Sequence, residues 1–510
     1  MRKSISLHVA VAACVMVAGA AAGVAQQAAP VHAAKPAARA VHDAAYYAFR
    51  NAVTEPPSNS TTPVFHLSRD YPHQPPHPLT EKCPQEECPW LYVKVNFTPQ
   101  FPTPGHPIQE PQWHGQGWDE YMAAILKYVR EGQTDDLNNK DGWRIQVDGK
   151  TRWFNVPWMA YDPTAGREYV HGTTNERTAP LSEFIGPVHS PHAMLEIAGE
   201  SDECKKKYPW GFESWSVGYY NDYGGYAMGR AIPATGVPQM SEYMGSPMPA
   251  GLPFPEGTVV VKVLTSTVPP ECVTYLNGAP AWQVDRHKYS TDQGYQCERE
   301  VQIDHVVQMD VAVADSRSPI GWVYGTFTYD GNTPGTTFWD HMVPLGLQWG
   351  SDPWSFPAVP HSESLPLQQT VINPGMGSYQ HLGCEKRLAG PVDNPSSSCT
   401  SCHASAYGVP HGALNEMGTN VPPSFGFAGM CEQFSQDNAN YFQNQSAPQG
   451  FPGGLFPTAA SLDTSLQMAV AFSQYGEFHT NHEPVACSDP NQMRPAPKHL
   501  ANFAVGGGKE

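Results

Sequence analysis

The stretch Trp143-Arg-Ile-Gln-Val147-Asp148-Gly149-Lys-Thr-Arg-Trp-Phe-Asn-Val156 is the clearest indication of the fold. Apolar and polar residues alternate on both sides of the Asp-Gly pair, and this period of two is typical of a strand with one buried face. Asp-Gly between two such runs favours a hairpin, because glycine accepts the positive φ angle of a tight turn. The sequence therefore predicts an antiparallel hairpin here.

The same alternation recurs between residues 61 and 370, which we expect to form a β-rich, sandwich-like domain. The predicted strands are Leu91 to Val95, Trp143 to Val147, Val259 to Leu264, Val307 to Val313, and Trp322 to Tyr329. One helix, from Trp118 to Glu131, is predicted among them, with Gly132 as its C-cap. Its apolar face should cover a sheet, and it comprises Met122, Ile125, Leu126 and Val129.

Residues 371 to 510 differ in character, since the alternation fades into loops and short helical pieces. We expect a smaller, loop-rich, α-helical domain, and thus an α+β multidomain chain. Its best helix should run from Ser461 to about Phe472, with Leu462, Leu466 and Val470 at helical spacing. Asp463 would then lie in the first turn, where the helix dipole favours a negative charge.

The N-terminus has the features of a secretory signal over residues 1 to 25. Arg2 and Lys3 precede an apolar run, and Gly23 and Ala25 are small residues before a plausible cleavage site. Residues 26 to 60 should form a flexible linker. No later segment approaches the roughly 20 apolar residues of a membrane span, so we expect a soluble periplasmic or secreted protein. Lipid attachment at Cys14 is a second, less favoured possibility.

Charge narrows the set of partners. The formal net charge is −18, and removal of Arg2 and Lys3 with the signal gives −18 − 2 = −20. Such an acidic surface disfavours binding to nucleic acid or to anionic membranes. A redox partner protein or a small electron donor or acceptor remains compatible with it.

The cysteines divide into two groups. Of 11 cysteines, Cys14 falls in the signal and Cys399 and Cys402 form a separate motif, which leaves an even number. In an oxidising compartment the rest would form four disulfides, although eight cysteines allow 105 pairings. We expect the local pairs Cys83 with Cys88 and Cys272 with Cys297. The others are Cys204, Cys384, Cys431 and Cys487.

The motif Cys399-Thr-Ser-Cys402-His403 indicates covalent haem attachment. Two thiols at this spacing reach the two vinyl groups of one haem, and the following histidine becomes the proximal iron ligand. A redox disulfide, half of a zinc site and a structural bridge are the alternatives. A thioredoxin-like motif should follow a strand in a βαβ unit, and zinc needs a second ligand pair, whereas Cys431 stands alone.

The sequence does not identify the distal iron ligand, and the methionine candidates are Met417, Met430 and Met468. Methionine would give a six-coordinate electron carrier, whereas an open position would let small molecules bind. Met468 falls inside the predicted helix, where filling of the core is the favoured interpretation. Histidines are further candidates, although most should be surface residues: His189, His192, His411, His479 and His482.

Four segments resemble a family of uncharacterised bacterial exported c-type cytochromes with a β-rich region before a single-haem domain. They are Trp215 to Tyr226, Pro255 to Lys262, Gly321 to Gly331, and Leu388 to His403. The resemblance implies haem binding and electron transfer, and it carries over Cys399, Cys402 and His403. It also suggests leucine at the position of Met468, which weakens that candidate.

The leading hypothesis is therefore an exported electron-transfer protein with one covalent haem c. The alternative is a haem enzyme or gas-binding sensor with an open distal site and peroxidase-like or nitric-oxide chemistry. A third hypothesis gives the main role to the large domain as a carbohydrate or protein binder. No nucleophile elbow, phosphate loop or His-Glu-x-x-His motif occurs in the sequence, so no substrate is indicated.

Overall fold

The fold is that of a computed structural model, in which only part of the chain is described. The described residues are 65–99, 110–135, 142–157, 173–179, 181–184, 203–204, 206–209, 211–234, 242–243, 246–247, 252–290, 294–355, 366–375, 382–383, 386–395, 397–404, 406–411, 416–420, 444, 446 and 460–472. The predicted signal, Cys14 and the predicted linker lie outside these residues.

Strands make up most of the regular structure. They are β1 (Gln146–Val147), β2 (Lys150–Thr151), β3 (Thr173–Ala179), β4 (Phe212–Tyr220), β5 (Glu242–Tyr243), β6 (Ser246–Pro247), β7 (Val259–Ser266), β8 (Ala281–Ser290), β9 (Gly294–Ala314), β10 (Trp322–Tyr329), β11 (Met342–Gln348), β12 (Thr370–Ile372), β13 (Tyr407–His411), β14 (Glu416–Asn420) and β15 (Ala460–Ser461). The α-helices are α1 (Trp118–Arg130), α2 (Leu181–Phe184), α3 (Asp222–Ala231) and α4 (Cys399–His403), and residues 466–472 are also helical. The expected β-rich character is confirmed.

One eight-stranded antiparallel sheet organises the described chain. Its order is β12-β11-β10-β9-β7-β4-β3, and β8 pairs with the first half of the long strand β9. Both faces of the sheet are covered. Successive side chains of a strand point to opposite faces, so every strand in the centre contributes to two different cores.

The first face of the sheet is apolar and is covered by α1. Val261, Val311 and Val323 lie on this face and belong to one large buried cluster. Met122 of α1 reaches the backbone of Gly325 so closely that an added Cβ would lie 2.8 Å from its sulfur. The helix therefore covers the sheet as predicted, and it ends before Gly132, whose φ of 75° is left-handed.

The second face is the one that faces the Cys-Thr-Ser-Cys-His motif. Tyr220, Trp322 and Tyr324 form a second buried cluster with Leu462 and Met468 from the C-terminal segment. Polar residues lie in the middle of this face. Asp310 pairs with Thr326 on one side and with Lys262 on the other.

The predicted hairpin is confirmed in its turn and its register. Val147 pairs with Lys150, and the two residues between them have φ angles of 50° (Asp148) and 74° (Gly149). Two positive φ angles in succession are required by a type I′ turn. The ladder is shorter than predicted, because the strand begins at Gln146 and not at Trp143.

Two other segments differ from the predictions. The predicted strand from Leu91 to Val95 is wrong, since Pro89–Tyr92 is a turn of 3-10 helix with a proline at its first position. Proline fixes a helical φ angle and has no N–H for a ladder. The predicted helix from Ser461 begins later, and only residues 466–472 are helical. Asp463 and Thr464 form a turn before it, with φ angles of 50° and 61°.

The cysteine predictions are partly confirmed. Cys83 and Cys88 form a disulfide, as expected, but Cys272 pairs with Cys204 and not with Cys297. The β8–β9 register places Cys297 near the far end of that hairpin, eight residues from His305, which corresponds to roughly 26 Å of strand. Glu271, next to Cys272, is instead close enough to His305 to affect its pKa. Cys384, Cys431 and Cys487 lie outside the described residues.

The region after residue 370 begins within the large sheet, as β12 pairs with β11. Further on, β13 pairs with β14 and β15 in a small three-stranded sheet, so the described part of this region is not mainly helical. Within the described chain, no helix combines the length and the apolar composition needed to cross a bilayer.

Candidate functional site

The motif forms one short helical turn, α4, and its N-terminus is well defined. Ser398 is the N-cap: its Oγ accepts the N–H of Ser401, and the Ser401 Oγ accepts the N–H of Ser398 in return. This reciprocal pair is a capping box, which satisfies donors that a helix start leaves without partners. The sequence Ser-Cys-Thr-Ser therefore starts the turn where the haem motif begins.

The end of β11 holds the same turn from the side of the sheet. The buried amide of Gln348 donates to the Ser398 Oγ at 3.3 Å, and its carbonyl oxygen accepts the N–H of Thr400 at 3.3 Å. The hydroxyl of Thr400 donates to the carbonyl of Gly350 at 3.0 Å. These bonds fix α4 to the sheet edge.

Cys399, Cys402 and His403 are all partly exposed on this turn. Neither cysteine belongs to the two disulfides described above. The Cys399 sulfur donates to the Leu388 carbonyl at 3.5 Å and packs against both core clusters. The sequence spacing thus does bring the three residues of the motif onto one helical turn.

The ionisation of Cys399 argues against a redox-active thiol. Burial raises the pKa of its thiol well above the ordinary value, and the nearby carboxyl groups of Asp393 and Asp310 raise it further. Catalytic cysteines require the opposite, because the thiolate is the nucleophile. Burial of Cys399 thus disfavours the thiolate form that thiol exchange needs.

The imidazole of His403 is held by a backbone carbonyl. Its Nδ1 lies 2.7 Å from the carbonyl oxygen of Thr464. A carbonyl oxygen only accepts, so Nδ1 carries the proton, and in the neutral ring the lone pair is on Nε2. Metal-bound histidines use this arrangement, in which the second nitrogen donates to a carbonyl or carboxylate.

Tyr324 of β10 completes the surroundings of the histidine. Its ring centroid lies 4.7 Å from that of His403, and its hydroxyl donates to the Thr464 Oγ1 at 2.5 Å. A narrow cleft beside His403 leaves no room for a water-sized molecule. Its other lining residues are Ala404, Ala406, Tyr407, Ser446, Ser461 and Thr464.

The donor set fits a covalent haem c. Two cysteines with a histidine directly after them lie on one turn, all partly exposed as residues, and the histidine tautomer places the imidazole lone pair on Nε2. The cleft beside His403 is too narrow to hold a porphyrin. Attachment of haem therefore requires the segments of this chain that line the cleft to move apart.

Only some of the candidate distal ligands lie within the described residues. Met468 is buried among apolar residues of the second face, in the helical segment 466–472. Met417 and His411 lie in the paired strands β14 and β13. The remaining candidates lie outside the described residues: Met430, His189, His192, His479 and His482. Among the described residues, no three His, Cys, Asp or Glu side chains form a metal-binding group.

Some residues of the site had no signal in the sequence. The sequence pattern predicted a helix at Asp463 and indicated no role for Tyr324 or Thr464. The bond from His403 ends on a backbone carbonyl, and any residue type provides one. Only the packing of the C-terminal segment on β10 brings these groups together.

Comparison with known proteins adds no relative. No protein-family model matches the sequence, no curated protein matches it, and no solved structure matches the fold. The resemblance to exported c-type cytochromes therefore stays a prediction. The function is inferred from the chain's own residues.

Proposed function

We propose that the chain is an exported c-type cytochrome that transfers electrons through one covalent haem c. The observation that carries this proposal is the geometry of α4, where Cys399 and Cys402 share one turn with a histidine whose Nδ1–H is bound by a carbonyl. The partner is a redox protein or a small electron donor or acceptor. The proposed haem-bearing region is residues 371 to 510, and its first residues belong to the large sheet through β12.

The residues of α4 would hold the haem rigidly. The sulfurs of Cys399 and Cys402 would form thioethers, and the Nε2 of His403 would be the proximal ligand. Bound haem supplies a one-electron change at iron. The Gln348 amide and the Ser398 capping box hold α4 in place, so little structural reorganisation accompanies that change.

The distal ligand of the proposed carrier is a methionine. Met417 lies in β14 of the small sheet, Met430 lies outside the described residues, and Met468 lies in the second core. The burial of Met468 among apolar side chains supports core filling. Met417 and Met430 are therefore the first residues to replace in a search for the ligand.

An exported location agrees with several features of the chain. Disulfides persist in oxidising compartments, and Cys83–Cys88 and Cys204–Cys272 are both formed. The N-terminal signal features and the acidic composition agree with a periplasmic or cell-surface protein. These features support the proposal without bearing on the redox partner.

Mass and absorbance of the purified chain test the haem. The chain should be expressed in a bacterial host that assembles c-type cytochromes, and we expect a coloured protein heavier by one haem. Cys399→Ala and Cys402→Ala should each lose one thioether, and the double variant should release the haem on denaturation. The matched control is Cys83→Ala with Cys88→Ala, which should keep it. A colourless wild-type protein with the mass of the bare polypeptide would contradict the proposal.

Carbon monoxide separates the carrier from the haem enzyme or gas sensor. A six-coordinate carrier should show a low-spin reduced spectrum that carbon monoxide does not change. Ready binding to the ferrous protein would instead favour an open distal site. His403→Ala should give a changed spectrum in either case, because the proximal ligand is lost.

A further inference from the structure

The turn Asp463-Thr464 has an unusual backbone next to the candidate site. Both residues have left-handed φ angles, 50° and 61°. This conformation is unfavourable for a residue that is not glycine, and it is rare for a β-branched residue such as threonine. Such a conformation persists only where the surroundings hold it in place.

The Asp463 carboxylate is the main anchor of this turn. Its Oδ2 accepts the backbone N–H of Phe254 at 2.7 Å, and its Oδ1 accepts the indole N–H of Trp322 at 2.9 Å. The carboxylate is buried. Two donors from separate parts of the fold thus converge on one side chain.

Thr464 is held from the same strand. Trp322 and Tyr324 are two residues apart on β10 and point to the same face. Trp322 binds Asp463, and the Tyr324 hydroxyl binds the Thr464 Oγ1. The result is a fixed carbonyl of Thr464, which accepts the Nδ1–H of His403 at 2.7 Å.

We propose that Asp463 is a positioning residue that sets the reduction potential of the haem by locking the turn that orients His403. This inference rests on the proposed function. The hydrogen bond to a carbonyl raises the basicity of a metal-bound imidazole. A more basic ligand stabilises ferric iron more than ferrous iron, so a weaker bond should raise the potential.

Asp463→Asn is the sharpest variant, because it keeps the shape and changes one atom. Asparagine has a single acceptor oxygen, so its amide NH₂ must face either the Phe254 N–H or the Trp322 indole N–H. One of the two hydrogen bonds to residue 463 is therefore replaced by a contact between two N–H donors. We expect the equilibrium constant for reduction to rise about tenfold, equal to about 59 mV for one electron.

Asp330→Asn is the matched control. Asp330 is also buried, follows the other end of β10, and accepts the backbone N–H of Asn332 and the hydroxyl of Thr333. Its amide variant also replaces a buried carboxyl, but the Thr333 hydroxyl can accept from the new NH₂, and residue 330 makes no contact with the turn; the variant therefore controls for the loss of a buried carboxyl. We expect the potential of this variant to equal that of the wild type.

A second replacement should bring the reduction potential part of the way back to the wild-type value. Trp322→Phe removes the indole N–H, so in the double variant with Asp463→Asn the amide oxygen at position 463 binds Phe254 and the amide NH₂ faces no donor from residue 322. The potential of this double variant should lie closer to the wild type than that of Asp463→Asn alone. If the two replacements acted only by destabilising the fold, their effects on the potential would add in the double variant and would not cancel.

The full chain expressed without haem gives a readout independent of redox activity. Nitrogen-15 NMR of His403 should show the Nδ1-protonated tautomer in the wild type and in Asp330→Asn, and its loss in Asp463→Asn. Equal potentials and equal tautomers in wild type and Asp463→Asn would overturn the role of Asp463. A wild-type protein that never binds haem overturns the proposed function, and the claim about potential with it, whatever the tautomer.

Discussion

Asp310 is a carboxyl group in the middle of the second face of the sheet, close to Cys399. Its Oδ1 accepts the amide N–H of Gln308 at 2.7 Å and the hydroxyl of Thr326 at 2.8 Å. The same Gln308 amide donates to Asp393 at 2.9 Å, so one side chain links two acidic residues. Burial and the nearby Asp393 together raise the pKa of Asp310 to about 8, against the opposing effect of Lys262.

The raised pKa of Asp310 makes the free energy of unfolding depend on pH. The unfolded chain loses the proton near the ordinary value of 3.8, whereas the folded chain keeps it up to about pH 8. Between these values the folded state binds more protons. The contribution of Asp310 to the free energy of unfolding should therefore fall as the pH rises from about 4 to about 8.

Asp310→Asn should remove this loss. The amide resembles the protonated carboxyl, and its single oxygen keeps both hydrogen bonds because Gln308 and Thr326 bind the same atom. We expect the variant to match the wild type near pH 4 and to exceed it at pH 8 by more than about 1 kcal/mol, since one pKa unit corresponds to about 1.4 kcal/mol. Urea unfolding at both pH values measures the difference, and parallel pH profiles would contradict it.

At the scale of the element, the helical segment 466–472 lies unusually close to the large sheet. Gly218 of β4 pairs with Lys262 of β7, and a Cβ at position 218 would overlap the side chain of Gln467. The absence of a side chain at this one position thus lets the segment lie against the strands. The same contact keeps the turn before the segment within reach of His403.

Gly218→Ala should push the segment away from the sheet. Overpacking of this kind typically costs about 1–3 kcal/mol, and the free energy of unfolding should fall by that amount. Gln467→Ala removes the clashing amide, so the double variant should be more stable than Gly218→Ala alone. Chemical denaturation of the two single variants and the double variant measures the coupling. Additive losses would show that the two residues do not meet.

At the scale of the whole molecule, two disulfides constrain very different lengths of chain. Cys83 and Cys88 are 5 residues apart in sequence, whereas Cys204 and Cys272 are 68 apart. The second bond joins the segment before β4 to the loop after β7. A cross-link restricts the unfolded chain more when the closed loop is longer.

Removal of the long-range bond should therefore cost more. In the chain-entropy description, loops of these lengths differ by about 2 kcal/mol in their effect on the unfolded state. We expect Cys204→Ala with Cys272→Ala to lose about 2 kcal/mol more stability than Cys83→Ala with Cys88→Ala. Equilibrium unfolding of both double variants under oxidising conditions compares them. Equal losses, or a larger loss for the short loop, would contradict this assignment.

Arg317 ties the irregular N-terminal part to the sheet. It forms an ion pair with Asp315 at 2.7 Å and donates to the carbonyls of Val93 at 2.7 Å and Trp90 at 3.0 Å. Residues 89–95 therefore keep a fixed place without joining a strand. This long-range anchor explains why a segment with strand-like alternation is not a strand.

Local chemistry in the sequence determined the hairpin at Asp148-Gly149, the helix from Trp118, the long strands and the Cys-x-x-Cys-His turn. Each depends on residues that are neighbours along the chain, so turn propensity and periodicity suffice to predict it. Tertiary structure alone decided the partner of Cys272, the late start of the C-terminal helix and the hydrogen bond from His403 to Thr464. These depend on which distant segments pack together, and a backbone carbonyl or a close approach at glycine leaves no mark in the local pattern.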